Sequence, residues 1–96
     1  MGVIRWLPEA FDDLKRLIAF LHAKSPAAAA RAANAIRDGA DLLVSSSAIG
    51  RPMDDDTLRR EWVVPFAAGA YVLRYKIDAD NAVVIIRVWH SKERRG

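Results

Sequence analysis

Apolar residues fall at Phe11, Leu14, Ile18 and Leu21, with Leu17 beside them, spaced three, four and three apart. That period lays one apolar stripe along a helix. Pro8 stands where a first helical position favours proline, and Glu9, Asp12 and Asp13 suit the positive end of a helix dipole, which predicts a helix over residues 8–24. It stops before Ser25-Pro26, because the residue preceding a proline is pushed out of the α region. The same dipeptide opens a second helix over 26–45, with Ser25 as N-cap and Pro26 as first residue. Ala29, Ala33, Ile36, Ala40 and Leu43 recur at four, three, four and three, while Arg31, Asn34, Arg37, Asp38 and Asp41 fall elsewhere on the wheel. Small side chains let two helix axes approach closely, so the two segments form an αα-hairpin. The alanine run at 27–30 follows from helix propensity and that close packing.

The rest of the chain is β-prone. Val3–Leu7 is a short extended segment ahead of the first helix. After Ser45-Ser46-Ser47 and the turn Ile49-Gly50-Arg51-Pro52, three extended segments are predicted: Leu58–Val64 closed by Pro65, Ala70–Ile77, and Ala82–His90. With Asp78-Ala79-Asp80-Asn81 as the hairpin loop, Ile77 faces Ala82, Tyr75 faces Val84, Leu73 faces Ile86 and Tyr71 faces Val88. That face is apolar and should meet the helices. The opposite face carries Val72, Arg74 and Lys76 against Arg87, Ile85 and Val83, with Trp89 at its end. The expected fold is α+β, ordered β-α-α-β-β-β, a helical hairpin on one face of an antiparallel sheet.

Composition narrows the class. The 96 residues fit one domain, 1–96, with 91–96 a basic tail. A chain this short buries about 60–68% of the surface its unfolded form exposes, enough for one modest core. With no cysteine there is no disulfide scaffold, thiolate metal site or cysteine nucleophile. The opening Met-Gly-Val-Ile-Arg-Trp has no signal-peptide pattern, and no apolar run approaches a membrane span, so a cytoplasmic chain with no membrane partner is expected. Residues 1–86 hold 11 basic and 11 acidic side chains, which cancel. The net charge of +3 therefore sits in the last ten residues, where Arg87, Lys92, Arg94 and Arg95 oppose Glu93 alone. A neutral body with a basic end gives the partner a direction.

Several short motifs then carry a resemblance. They are Pro8-Glu9-Ala10 and Asp13-Leu14 in the first helix, Ser25-Pro26-Ala27-Ala28-Ala29 opening the second, Gly50-Arg51-Pro52, Leu58-Arg59-Arg60-Glu61, Val63-Val64-Pro65-Phe66, Tyr71-Val72-Leu73-Arg74-Tyr75, and Val88-Trp89-His90. In this order and spacing, from Trp6 to Glu93, the chain resembles the RelE/ParE superfamily of toxins from bacterial type II toxin–antitoxin modules, and within it the ParE-like branch. The resemblance implies a small toxin that blocks growth unless a cognate antitoxin wraps it, and that reaches operator DNA only through the antitoxin. RelE-like members cut messenger RNA on the ribosome, with arginines and lysines on the exposed sheet face and often a tyrosine in the tail. In that branch an arginine commonly follows the tyrosine opening the third strand; here the place is Val72, and the tail Ser91–Gly96 has no tyrosine. ParE-like members instead poison DNA gyrase and keep no agreed hydrolytic site.

The expected function is therefore a ParE-like inhibitory binding protein with DNA gyrase as target. Arg74, Arg87, Trp89, Lys92, Arg94 and Arg95 are the target-binding candidates, with Trp89 as an exposed anchor. The alternative is a metal-independent endoribonuclease acting on ribosome-bound messenger. Cleavage through a 2′-hydroxyl needs a base, cations for the phosphorane charge and an acid for the leaving oxygen, and only Arg74, Lys76, Arg87 and His90 approximate that set. By the pairing above, however, His90 lies on the helix-facing side. His22 and His90 are too far apart in a cysteine-free chain for metal-ligand spacing, so no metal and no cofactor are expected. Asp54-Asp55-Asp56 lacks the glycine and downstream glutamate of a calcium loop and reads as a solvated turn. Gly50-Arg51-Pro52 reads equally as binding loop or structural turn, and Arg59-Arg60 as partners of the acidic run or of a target.

Overall fold

The computed structural model describes residues 3–93. Its elements are β1 (Ile4–Trp6), α1 (Pro8–His22), α2 (Pro26–Ser45), β2 (Arg51–Pro52), β3 (Arg60–Phe66), β4 (Gly69–Ile77) and β5 (Val83–His90). The strands form one sheet ordered β1-β5-β4-β3-β2, and the helical hairpin packs on one face of it. The sheet is mixed rather than purely antiparallel, because the helix pair carries the chain back across one face and leaves β1 parallel to β5. Gly50-Arg51-Pro52 supplies an extra short edge strand, with Arg51 opposite Glu61 and Pro52 opposite Arg60.

Both helix starts follow the sequence. Pro8 is the first residue of α1, and Ser25 accepts the Ala28 N–H at 3.1 Å to cap α2. The buried side of α2 is Ala29, Ala32, Ile36, Gly39, Ala40 and Leu43. A Cβ on Gly39 would lie 2.5 Å from Val64 Cγ2, so the helix rests on β3 at a point where only hydrogen fits. Tyr75, Leu73, Ile85, Val83 and Val88 meet Ile36 and Leu43 in the fully buried centre. No helix of the described residues is long and apolar enough to cross a membrane.

The β4–β5 register departs from the expected one. The connection holds five residues, with the Asp78 N–H donating to the Ala82 carbonyl at 2.9 Å and Asn81 in the left-handed region at φ 64°. Ile77 thus faces Val83, not Ala82. An irregularity opposite Arg74/Tyr75 then leaves Ile86 unpaired, so that Arg74 faces Arg87 and Tyr71 faces His90. The helix-facing set is Val83, Ile85 and Val88, in place of Ala82, Val84, Ile86 and Val88. The run from Ala82 to Ile86 is apolar at every position and carries no alternation to mark the slip. β3 also runs through Pro65, which pairs with Ala70, where a stop was expected. β2 covers only Arg60 and Glu61, so Pro65 sits on an open sheet edge where no N–H is required.

Candidate target-binding surface

The open face of the sheet, away from the helices, carries Arg5, Arg51, Glu61, Arg74, Lys76 and Arg87. In register, Glu61 lies opposite Arg74, and Arg74 opposite Arg87. Two guanidinium groups directly across a strand pair repel. Each is drawn outward to its own carboxylate. Arg74 donates to Glu61 Oε2 through Nε and Nη2 at 3.1 and 2.8 Å. Arg87 grips Asp13 of α1 in a two-point bond, Nε to Oδ2 at 2.7 Å and Nη2 to Oδ1 at 3.1 Å. This hydrogen bond to Asp13 raises the Arg87 pKa above its ordinary value. A four-residue row, Glu61–Arg74–Arg87–Asp13, therefore runs from β3 across β4 and β5 to α1.

Asp13 has a second task. β1 covers β5 only from Val83 to Ile85, and past that point the Val88 N–H donates to Asp13 Oδ2 at 3.0 Å. The carboxylate closes an edge that β1 leaves open, and its side chain is only 6% exposed. Its position was visible in the sequence as the one acid on the buried Ala10, Asp13, Leu17 stripe of α1.

The remaining cations of this face are also paired. Lys76 lies 3.5 Å from Asp78, Arg5 lies 3.0 and 3.5 Å from Asp78 and Asp80, and the exposed Arg51 of β2 lies 4.0 Å from Glu61. Arg5 and Lys76 flank Val84, which is buried although it points away from the helices. Trp89 is corrected in the same way: it is on the open face as expected, but buried, because the Arg74 guanidinium lies 4.9 Å over its ring. It is not an exposed anchor.

His90 sits on the other side. Its ring meets Tyr71 edge-on at 5.2 Å, and its Nδ1 accepts the Lys92 N–H at 3.1 Å. A Cβ on Gly69 would fall 2.7 Å from His90 Cε1, so glycine makes room for the imidazole. Arg74, Lys76 and Arg87 are thus separated from His90 by the sheet itself, and the four do not share a site. Burial, then the nearby Glu93 charge, raises the Tyr71 pKa.

The turn after β5, residues 91–93, is tightly tied. Ser91 N–H donates to the Ala70 carbonyl at 2.7 Å, Ser91 Oγ accepts the Ala70 N–H at 3.1 Å, and Glu93 N–H donates to the His90 carbonyl at 2.9 Å. Glu93 also accepts the His90 N–H at 2.8 Å and pairs with Arg16 of α1. Lys92 is exposed on this turn and has no ion pair among the described residues. Arg94 and Arg95 lie outside the described residues.

The other candidates make contacts within the fold. Tyr75 donates to the Ser47 carbonyl at 2.6 Å and accepts the Gly50 N–H at 2.9 Å, and a Cβ on Gly50 would meet Tyr75 Oη at 2.5 Å. Gly50 is there for close approach. Arg60 reaches the carbonyls of Ala48 and Gly50 at 3.1 and 2.7 Å. Arg59 bonds Thr57 and lies 3.5 Å from Asp55, whose pKa is lowered chiefly by the Thr57 hydroxyl. His22 is exposed in the last turn of α1, and among the described residues no group of three His, Cys, Asp or Glu side chains gathers to hold a metal ion.

The comparisons agree with this architecture. Residues 4–95 match the family model described as ParE toxin of type II toxin-antitoxin system, parDE. The chain is 42% identical over 88 residues to toxin RelE3 of Caulobacter vibrioides, covering 92% of each, and 36% identical over 83 residues to toxin RelE1 of that organism, covering 86% of each. A solved chain titled "Chromosomal ParDE TA system from P. aeruginosa" superposes with a TM-score of 0.72 at 19% identity, covering 92% of this chain and 94% of that one, which shows a shared fold. With a family model spanning nearly its whole length and relatives above a third identical, the chain belongs to the ParE-type toxins of type II toxin–antitoxin systems.

Proposed function

We propose that this toxin arrests growth by binding DNA gyrase in the cytoplasm, that Lys92, Arg94 and Arg95 at the chain end face the target, and that a cognate antitoxin neutralises it. The observation that carries this reading is the closed row Glu61–Arg74–Arg87–Asp13. A hydrolytic site needs cations free to meet phosphorane charge and a base on the same side. Here the two arginines are held by carboxylates and the histidine is behind the sheet. Arg74 and Arg87 accordingly hold the surface together, and the target-facing role narrows to the basic end. The competing reading, an endoribonuclease acting on ribosome-bound messenger, draws on the RelE names of the relatives.

Induced expression of the chain alone separates the two. The gyrase reading expects growth arrest with DNA-damage signalling, intact transcripts, and loss of supercoiling by purified gyrase. Transcripts cut in a frame-dependent way, with supercoiling unaffected, would establish the nuclease instead.

A further inference from the structure

Past the reach of β1, the edge of β5 is closed by carboxylates. N–H groups two residues apart on a strand point to the same edge, and those of Val88 and His90 donate there, the first to Asp13 Oδ2 at 3.0 Å and the second to Glu93 Oε2 at 2.8 Å. Arg16 of α1 links the two acids, 3.7 Å from Asp13 Oδ1 and paired with Glu93 Oε1. The chain is thereby folded back at His90: the Glu93 N–H donates to the His90 carbonyl at 2.9 Å and the Lys92 N–H to His90 Nδ1 at 3.1 Å. Arg16, Lys92 and Glu93 line a groove of about 640 Å³, whose walls are Leu17 and Phe20 of α1 and the ring row Phe66, Tyr71 and His90. In that row Phe66 meets Tyr71 at 5.5 Å and Tyr71 meets His90 at 5.2 Å.

Stability is not what the Arg16–Glu93 pair chiefly supplies. Its side chains are 46% and 30% exposed, a setting in which an ion pair contributes little. Nor does Glu93 add to the basic character of the chain end, being the one acid among the last ten residues beside Lys92, Arg94 and Arg95. What its carboxylate does supply is direction. It joins the turn to α1 across 77 positions of sequence, and so fixes where Lys92 stands and the point from which the chain passes on to Arg94 and Arg95. A binding segment already held in place loses less freedom when its partner arrives. We propose that Arg16 and Glu93 are positioning residues for target binding: their latch aims the basic chain end, so that inhibition depends on the aim as well as on the charge. This rests on the reading that the chain end faces the target, and adds to it the device that holds the end in place.

The sign of one substitution separates aim from charge. Glu93→Gln makes the chain end more positive, so if charge alone governed binding it would strengthen inhibition. The latch requires the opposite, a loss of about fivefold with Tm held. Arg16→Met should lose about tenfold, while Arg16→Lys, which keeps a cation toward both carboxylates, stays within about threefold of wild type. Because the two residues act as a unit, Arg16→Met with Glu93→Gln should lose no more than Arg16→Met alone. Inhibition is read on the full-length toxin as the concentration that halves supercoiling by purified gyrase, and as growth arrest at matched toxin levels. Amide exchange reads the latch without gyrase: in Arg16→Met the His90 and Glu93 N–H groups should exchange at least about tenfold faster, with Leu73 in the core as the unchanged control. Inhibition by Glu93→Gln equal to or above that of wild type would overturn the proposal. So would a double variant whose loss is the product of the single losses, or unchanged exchange at His90 and Glu93. A wild-type toxin that arrests growth but leaves supercoiling intact would refute the gyrase assignment alone, and growth arrest together with exchange would then decide the latch.

Discussion

The open sheet face and the groove beside the chain end treat exposed chemistry in opposite ways. On the sheet, six charged side chains are tied to neighbours, and the aromatic ring beneath them is covered by a guanidinium. Beside the chain end, Phe20 projects from α1, Lys92 has no ion pair among the described residues, and the ring row Phe66–Tyr71–His90 lines a trough. A surface rich in arginine is therefore no guide by itself to where a partner binds. What distinguishes the two regions is whether each polar or apolar group has already found its complement within the chain.

Perturbations of the two regions should differ in kind, and those on the sheet side should act first on stability. Asp13→Ala removes both carboxylate oxygens that Arg87 holds and orphans the Val88 N–H. Because Arg87 is about a third exposed and can recover water, the loss is expected at about 2–3 kcal/mol, in the range of a buried donor left unmade, rather than that of a fully buried ion pair. A urea titration measures it, and a loss below about 0.5 kcal/mol would mean the row is ornamental. Gly50→Ala should follow at about 2 kcal/mol, since its Cβ would displace Tyr75 from its two hydrogen bonds. Its Tm should fall while antitoxin affinity, measured on the folded protein, stays unchanged.

Smaller effects are expected from pH and from one strained loop. Asp55 and Asp80 are held below the usual carboxylate range by hydrogen bonds from Thr57 and from the Ala82 N–H, respectively. A carboxyl lowered in the folded state stabilises above its unfolded pKa and loses that contribution as pH falls, so loops 54–59 and 78–82 should loosen below about pH 4. Amide exchange in those loops, against an unchanged core, reports it. Burial raises Tyr75, so at the alkaline end stability should decline once pH passes about 10, where the unfolded chain gives up its proton first. The smallest change is Leu58→Gly. Leu58 is 87% exposed at φ 61°, and relief of the left-handed conformation should stabilise by about 0.5–1 kcal/mol, visible as a rise in the urea midpoint.

Legibility in the sequence followed how local each cause is. Pro8, Ser25 and Pro26 act within one turn, and the two helices begin where those residues place them. The order of elements and the β4 face Tyr71, Leu73, Tyr75 were equally readable, because alternation marks them. The β5 register was hidden by an apolar run with no alternation and by a bulge whose extra residue, Ile86, looks like its neighbours. Trp89 was placed on the correct face, but its burial depended on an arginine from the adjacent strand. The parallel placement of β1 could not be read from three residues. The groove was invisible for the same reason in stronger form: Phe20, Phe66, Tyr71 and His90 come from four elements, α1, β3, β4 and β5, and meet only in the fold.

The most direct measurement sets the two regions against each other in one assay of gyrase supercoiling and growth arrest. Arg74→Met with Glu61→Met removes an ion pair from the sheet face and leaves an unbranched apolar side chain at each position; Lys92, Arg94 and Arg95 changed together to Ser remove the basic end. The chain-end variant is expected to lose about tenfold or more in inhibition with its Tm held, while the sheet-face variant stays within about twofold of wild type. Full inhibition by the chain-end variant, or its loss in the sheet-face variant with an intact fold, would contradict the assignment of the partner to the basic end of the chain.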